Sequence, residues 1–466
     1  MDPMRKRLHD LCSRAGFWVE ARYHARRSSR LGVRKGVVNE MSSKRYEGAG
    51  IRVLINGAWG FSATSDLTPE GLERALGVAE QMARELGSRK RERIVIPSTA
   101  RLARGEFLVP GYDELRNMPM ERKFELVRKS EERLRGQASN IEAAMASYTE
   151  VFEDKIIVTT DGADSHVRLA RPELRLVAIG AEGARRTRGA DSVGGTGGWE
   201  CLFINRGAEE MVETAARDAV NLLHAPEAEA GRKRVILSPA MVGLLSHEAI
   251  GHTVEADFVA SGSVAAGKLG LMVASPLVTL CDSGRSEHRD GAGGMLPVDD
   301  EGVLAGRTPI IQAGRLVSYL HNRESAAREG IEPTGNARAW EFTDEPLIRM
   351  RNTYIDPGTS NLDEMISGIA DGYFVDGPGG GQADATGEFM FGANRVTRIR
   401  GGKLAEPVQN LTVSGNAFDV LKSVDAVSRD FWWDLGAGHC GKGQPAKVDA
   451  GGPYLRCELI VGGAQK

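Results

Sequence analysis

SPAMVGLLSHEAIGHTVEADF, residues Ser238 to Phe258, is the stretch that decides how the rest of this chain must be arranged. Val235, Ile236 and Leu237 before it read as a short strand. Ser238 reads as an N-cap, and Pro239 as the first helical residue, where its missing N–H costs nothing. A helix therefore starts at Pro239. Met241, Val242, Leu244, Leu245, Ala249, Ile250 and Val254 make it apolar on nearly every side, which predicts a buried helix with protein packed all round it.

Into this apolar setting the sequence places His247, Glu248, His252, Glu255 and Asp257. Imidazoles and carboxylates in a dry site are costly unless they are paired or bound to a metal. The familiar helical zinc motif spaces its histidines four apart so that both project from one face, with the Glu beside the first acting as general base. Here the spacing is five. At about 100° per residue, five steps leave the rings roughly 140° apart on a regular α-helix, too far to share one ion. A one-residue π-bulge would bring i and i+5 to the same side, and Gly251 would ease it, so a distorted helix is predicted. On an undistorted helix Glu248 and His252, four apart, would face one ion instead, with His247 turned away. The plainer reading is two buried histidines satisfied by hydrogen bonds.

Working outward, 466 residues is long for one core, and two domains are expected. A net charge of −3 and a pI near 6.4 argue against a dedicated nucleic-acid binder or a basic membrane-surface protein. MDPMRKRLHDLCSR at the start has no apolar core, and the longest mostly apolar run, Leu269 to Cys281, is broken by Ser275 and Pro276. A soluble, cytoplasmic protein is expected. Cys12, Cys201, Cys281, Cys440 and Cys457 are scattered with no CxxC, which suits a reducing compartment and not a disulfide framework.

In chain order, Met4 to Arg14 reads as a helix. Phe17 to Arg26 alternates, with Phe17, Val19, Ala21, Tyr23 and Ala25 against Glu20, Arg22, His24 and Arg26, as in a half-buried strand. Ile51 to Ile55, Asn56-Gly57 and Ala58 to Ala63 predict an antiparallel hairpin with a type I′ turn. Thr68-Pro69-Glu70 caps a helix to about Leu86, and a further helix fits Met120 to Leu134. Strands are expected near Ile141 to Val151, Lys155 to Thr160 and Ser165 to Ala170. Gly183 to Gly189 and Gly194 to Gly198 read as solvated loops, and Ala208 to Leu223 as another helix.

Ala225 to Arg234 (APEAEAGRKR) has no apolar periodicity and marks a domain boundary. The expected division is an N-terminal α+β domain with an antiparallel sheet, residues 1–228, and a β-rich C-terminal domain, residues 229–466, carrying the buried HExxxH helix. Hairpins are predicted at Pro309 to Gln312 with Leu316 to Leu320, and at Val396 to Arg400 with Lys403 to Val408. Gly377 to Gly381 (GPGGG) reads as a loop.

A hydrolytic zinc centre needs three protein ligands and an open position, and the helix supplies two. Among the remaining candidates Cys440 ranks first, because LGAGHCGKGQ flanks it with glycines that let the backbone approach closely. His439, Glu255 and Asp257 compete for the place. Longer matches bear on this choice: HEAIGH (His247 to His252), DDEG (Asp299 to Gly302), PTGNAR (Pro333 to Arg338), RMRNTYI (Arg349 to Ile355), GGGQAD (Gly379 to Asp384), TGEFMF (Thr386 to Phe391) and CGKGQ (Cys440 to Gln444). On these strings the chain resembles the TldD/PmbA family of metallopeptidases over most of its length.

The resemblance implies one zinc held by His247, His252 and Cys440, with Glu248 as general base. It also implies that the C-terminal domain, residues 229–466, is the catalytic one, and a role as the catalytic subunit, since the family's other branch lacks HExxxH. The implied substrate is an unfolded or extended peptide. The implied assembly is a dimer, either with a TldE/PmbA-like subunit or with itself. One departure stands out: the family usually has a residue between Lys and Gly of CGKxGQ, whereas Lys442 is followed directly by Gly443. Two other functions fit the same residues, a metallohydrolase cleaving a small amide in a biosynthetic pathway and a regulatory binding protein with a structural zinc.

Overall fold

The structure, a computed structural model, describes residues 2–89, 92–97, 100–409 and 411–462. Its first half is built on seven strands: β1 (Trp18–Arg34), β2 (Val37–Ile55), β3 (Ala58–Thr64), β4 (Arg104–Leu108), β5 (Ile141–Thr159), β6 (Asp164–Glu182) and β7 (Arg185–Gly194). They form one sheet in the order β3-β2-β1-β5-β6, with β4 and β7 both pairing along the far side of β6. All pairings are antiparallel except β4 with β6. Asn56 and Gly57 take the two positive φ angles (50° and 76°) that the β2–β3 turn requires.

Helices α1 (Pro3–Arg14), α2 (Pro69–Gly87), α3 (Tyr112–Asn117), α4 (Met120–Arg135) and α5 (Ala208–Asn221) accompany this sheet. Odd-numbered β1 residues Val19 and Ala21 join the core under α1 and α2, and Leu31 and Val33 join the core under α4 and α5. The period of two then sends Glu20, Arg22 and His24 to the opposite face. That face was expected to meet water. Instead the three side chains are 2%, 1% and 1% exposed, because the C-terminal half covers them.

The covering surface is polar and charge-matched. Lys155 on β5 reaches Asp300 at 3.0 Å, and Arg52 on β2 bridges Glu20 (2.7 Å) and Glu301 (2.6 Å). Arg323 pairs with Asp161, and Lys447 with Glu173 at 2.6 Å. Asp299 turns inward and accepts the backbone N–H groups of Glu301, Val303 and Ala337. The DDEG string is thus the buried joint between the two halves. For Arg52, Lys155, Arg323 and Lys447 the cost of leaving water is offset by the acid each one faces.

Several expectations differ in detail. The three strands expected between Ile141 and Ala170 are parts of the two longer strands β5 and β6. The Arg-rich run is no loop: Arg185–Gly194 is β7, with Arg186 and Arg188 on its outer side and Arg185 exposed at its start. The second strand of the hairpin after Pro309 is shorter than predicted, spanning Arg315–Leu316 alone. GPGGG lies inside strand Asp371–Ala383, where pairing with Glu388–Arg400 slips between Pro378 and Gly381. A bulge, and not a chain reversal, uses those glycines. Strand β8 (Gly231–Leu237) starts within the stretch read as a boundary.

In the second half, pairings run from Asp371–Ala383 through β8, Leu455–Gly462, Leu411–Asn416 and Glu388–Arg400 and back to Asp371–Ala383. These pairings close a circuit of five strands, and Lys403–Val408 adds to it along Glu388–Arg400. A second sheet has the order Arg315–Leu316, Arg307–Gln312, Leu280–Ser283, Asn352–Ile355, Asp449–Gly452, Trp432–Trp433. Side chains of both sheets and of the helix after β8 merge in one apolar core, which includes Met241, Val242, Leu245, Ile250, Leu280, Ile355, Val375, Phe391 and Leu455.

Helix α6 (Pro239–Leu244) begins as predicted, with Ser238 Oγ accepting from the Met241 N–H at 3.3 Å. It is seated on the second sheet through Gly243, where a Cβ would come within 2.8 Å of the Ala450 carbonyl carbon and 2.9 Å of the Gly451 nitrogen. Both neighbours are backbone and cannot turn aside. Gly243→Ala is therefore expected to lower stability by about 1–3 kcal/mol, read as a fall in the urea midpoint at unchanged slope.

Candidate metal centre

The chain continues from α6 without a break but changes its winding. Leu245–Gly251 is π-helical, and the His252 N–H donates to the His247 carbonyl five residues back. A 3₁₀ turn, His252–Val254, follows. The wider turn brings the two imidazoles to one side, with ring centroids 5.3 Å apart. Gly251 contributes in an unexpected way. Its backbone is ordinary right-handed helix (φ −55°, ψ −48°), so no special torsion is needed. What it supplies is room, since a Cβ there would lie 1.9 Å from Sδ of the buried Met350.

Cys440 comes from the hairpin His439–Lys442 and Gln444–Lys447. Lys442 pairs directly with Gln444, so Gly443 alone makes the turn, at φ 72°. The shortened CGKGQ string closes as a tight hairpin because glycine adopts that angle freely. Both flanks are tied down: Gln444 accepts from the Trp340 N–H at 2.7 Å, and Lys442 Nζ reaches Glu255 (2.9 Å), Asp257 (2.7 Å) and the Ile348 carbonyl (3.0 Å). Successive strand residues face opposite ways. Cys440 is buried and its Sγ lies 3.2 Å from His252 Nε2, while His439 turns toward Trp340 and Glu173.

His247, His252 and Cys440 thus offer one donor atom each, all within 4.8 Å of one another, and among the described residues no other such group occurs. The other sequence candidates are placed elsewhere. Asp257 is engaged by Lys442, and fully buried Glu255 lies behind His252, its Oε2 3.3 Å from His252 Nδ1. That contact was not foreseen. Glu255 orients the ring so that Nε2 faces Cys440, the arrangement by which carboxylates hold metal-binding histidines. Its signal in the sequence was position: an acid three residues after His252 lies on the same side of the turn.

Burial alone would raise the Cys440 pKa, but the imidazoles of His247 and His252 more than offset it and hold the thiol down to about 4. For His252, burial lowers the pKa, and hydrogen bonds with Cys440 and Glu255 outweigh it, raising the ring to about 10. The geometry favours a thiolate beside a proton-bearing imidazole. A divalent cation would take that proton's place between the same atoms. Among the described residues His247, 3% exposed, has no hydrogen-bond partner on either ring nitrogen. Two imidazoles and one thiolate suit zinc, and the partnerless His247 imidazole fits a place in that donor set. Glu248 differs from these three in being open to solvent, with its side chain 37% exposed and Oε2 3.8 Å from His252 Nε2.

Models of the PmbA/TldA metallopeptidase family match in three segments: domain 1 over residues 19–83, the central domain over 113–223 and the C-terminal domain over 230–463. A metalloprotease from Methanothermobacter thermautotrophicus is 35% identical over 96% of this chain and 95% of its own. This chain belongs to the TldD/PmbA family. A TldD metalloprotease homologue from Haemophilus influenzae is 31% identical, covering 92% of this chain and 89% of that one. A zinc metalloprotease TldD homologue from Saccharolobus solfataricus is 29% identical over 90% of each.

Solved structures share the fold. A protein described as a modulator of DNA gyrase from Thermotoga maritima superposes with a TM-score of 0.80 at 23% identity, covering 98% of this chain and 99% of that one. TldE from Thermococcus kodakarensis also gives 0.80, at 19% identity, over 98% and 100%. The TldD/PmbA member described here is mixed α+β and rich in sheet, and no described helix is long and apolar enough to cross a membrane.

Proposed function

We propose that this TldD/PmbA member is a zinc peptidase that hydrolyses amide bonds in unfolded or extended peptides. The observation that carries the reading is the convergence of His247, His252 and Cys440 beside a carboxylate, Glu248, that stays open to solvent. One zinc per chain would be held by the first three. Zinc bound there would supply Lewis acidity toward the scissile carbonyl and a water beside it. Glu248 takes a proton from that water and delivers it to the leaving nitrogen. Glu255 keeps the His252 ring in one orientation through Nδ1, and Lys442 fixes Glu255. With a thiolate among the ligands the centre is less electrophilic than one with three neutral ligands, so Glu248 carries more of the proton transfer.

The names of the relatives support a metallopeptidase with zinc, and the TldE neighbour supports pairing with a TldE-like subunit or with a second copy. In this reading the protein works in the cytoplasm, binds neither nucleic acid nor membrane, and divides at residue 228 into an α+β part and a catalytic part. Incubation of the zinc-loaded protein, alone and with its partner subunit, with a library of unstructured peptides should give new amino termini by mass spectrometry, abolished by chelation. Cleavage of small amides with every peptide left intact would refute the peptide reading.

A further inference from the structure

Beside the metal centre lie two buried guanidinium groups with no carboxylate of their own. Arg349, 1% exposed, donates from Nη1 to the Gln444 carbonyl (2.6 Å) and from Nη2 to the Cys440 carbonyl (2.8 Å), and its Nε has no partner among the described residues. Arg338, 6% exposed, donates from Nη1 to the Met350 carbonyl (2.7 Å). Among the described residues no carboxylate oxygen lies within 4.0 Å of either group. The acids around them are committed elsewhere, Glu153 to Arg171 and Asp300 to Lys155.

This contrasts with the rest of the joint, where the buried cations Arg52, Lys155, Arg171, Arg323 and Lys447 each face an acid. Neutral carbonyls satisfy donors but do not neutralise charge, and a buried cation without an anion is held at a cost that the fold could avoid with an apolar side chain. Burial, with Arg171 and Arg349 nearby, lowers the Arg338 pKa to about 9, so the group stays protonated at neutral pH with its charge poorly compensated. The position is specific as well. Arg349 is bonded to the carbonyl of Cys440, and Arg338 to the carbonyl of Met350, whose sulfur abuts Gly251 next to His252.

We infer that Arg338 and Arg349 form a subsite for a carboxylate of the substrate, seated beside the metal centre, and that the substrate supplies the anion the fold leaves out. The inference rests on the peptidase reading above. A planar guanidinium presents paired N–H donors matched to two carboxylate oxygens, and such bonds strengthen away from water. The carboxylate is either the peptide's own C-terminus, which makes the enzyme act close to chain ends, or an acidic side chain near the scissile bond.

The test uses full-length zinc-loaded protein carrying Glu248→Gln, so that binding is read without turnover. One neutral unstructured octapeptide is titrated as the free acid, as its C-terminal amide, and as an amide with one Glu introduced. Preference for the free acid by about tenfold or more assigns the subsite to the C-terminus, and preference for the Glu-bearing amide assigns it to a side chain. In either case adding Arg338→Met should bring the ratio to about one with zinc content unchanged. Arg338 is chosen because Arg349 also holds the Cys440 hairpin. If Arg338→Met does not fold, Arg338→Lys keeps a charge but not the fork, and should cut the preference at least about threefold. Equal binding of all three peptides, or a preference that survives both variants, overturns the subsite while leaving the peptidase reading intact. No binding of any peptide overturns the peptidase reading, and the subsite with it.

Discussion

Glu248→Gln should keep its zinc and lose at least about 10²-fold in peptide turnover. The substitution preserves shape and hydrogen-bonding capacity but removes the proton acceptor. Glu248 is the solvent-open group of the site, and the three donors assemble without it. His247→Ala and His252→Ala, in contrast, should lose metal and activity together, because each removes one of three donors. The reverse pattern, with zinc released by Glu248→Gln and retained by His247→Ala, is what a regular helix would give, since residues four apart share a face. The His252 to His247 hydrogen bond and the 5.3 Å ring separation argue against that outcome. Metal analysis and steady-state rates on these three variants separate the two.

Cys440→Ser should reduce zinc affinity at least about 100-fold, whereas serine at Cys12, Cys201, Cys281 or Cys457 should leave it unchanged. A hydroxyl is a hard, neutral donor, while the Cys440 thiol is held down to about 4 and is ready as a thiolate. Burial pushes the thiols of Cys12, Cys201, Cys281 and Cys457 the other way, up to about 12. Competition with a chromophoric chelator gives the affinities. Full zinc occupancy in Cys440→Ser under competition would place the third ligand elsewhere, with His439 the nearest alternative in sequence.

Local chemistry is what the chain displays openly. Ser238-Pro239 announces a helix start, Asn56-Gly57 a turn, and the five-residue interval between His247 and His252 a helix that cannot stay regular, because each depends on neighbours a few positions away. Cys440 is different. It stands 188 residues beyond His252, and glycines around a cysteine rank it without locating it, so family resemblance carried that step. The polar face of β1 misled for a physical reason. Alternation separates two faces of a strand but cannot say whether the polar one meets water or an oppositely charged surface, and Glu20, Arg22 and His24 meet such a surface. The run Gly377 to Gly381 misled in the same manner, since composition cannot tell a reversal from a slip in register.

The charged joint also governs how far the protein is modular. Arg52, Lys155 and Asp161 on one side, and Glu301, Asp300 and Arg323 on the other, would each be left facing solvent or an empty apolar contact if the chain were cut between the halves. Leu296 and Val298, from beyond the HExxxH helix, even lie in the core of the first sheet. The portion bearing His247, His252 and Cys440 is consequently no autonomous catalyst to be excised and studied alone. Loss of structure in either half exposes the partners of the other, so melting is expected as one cooperative event, with the amino-terminal sheet supplying half of the charged contacts that hold the part carrying His247, His252 and Cys440.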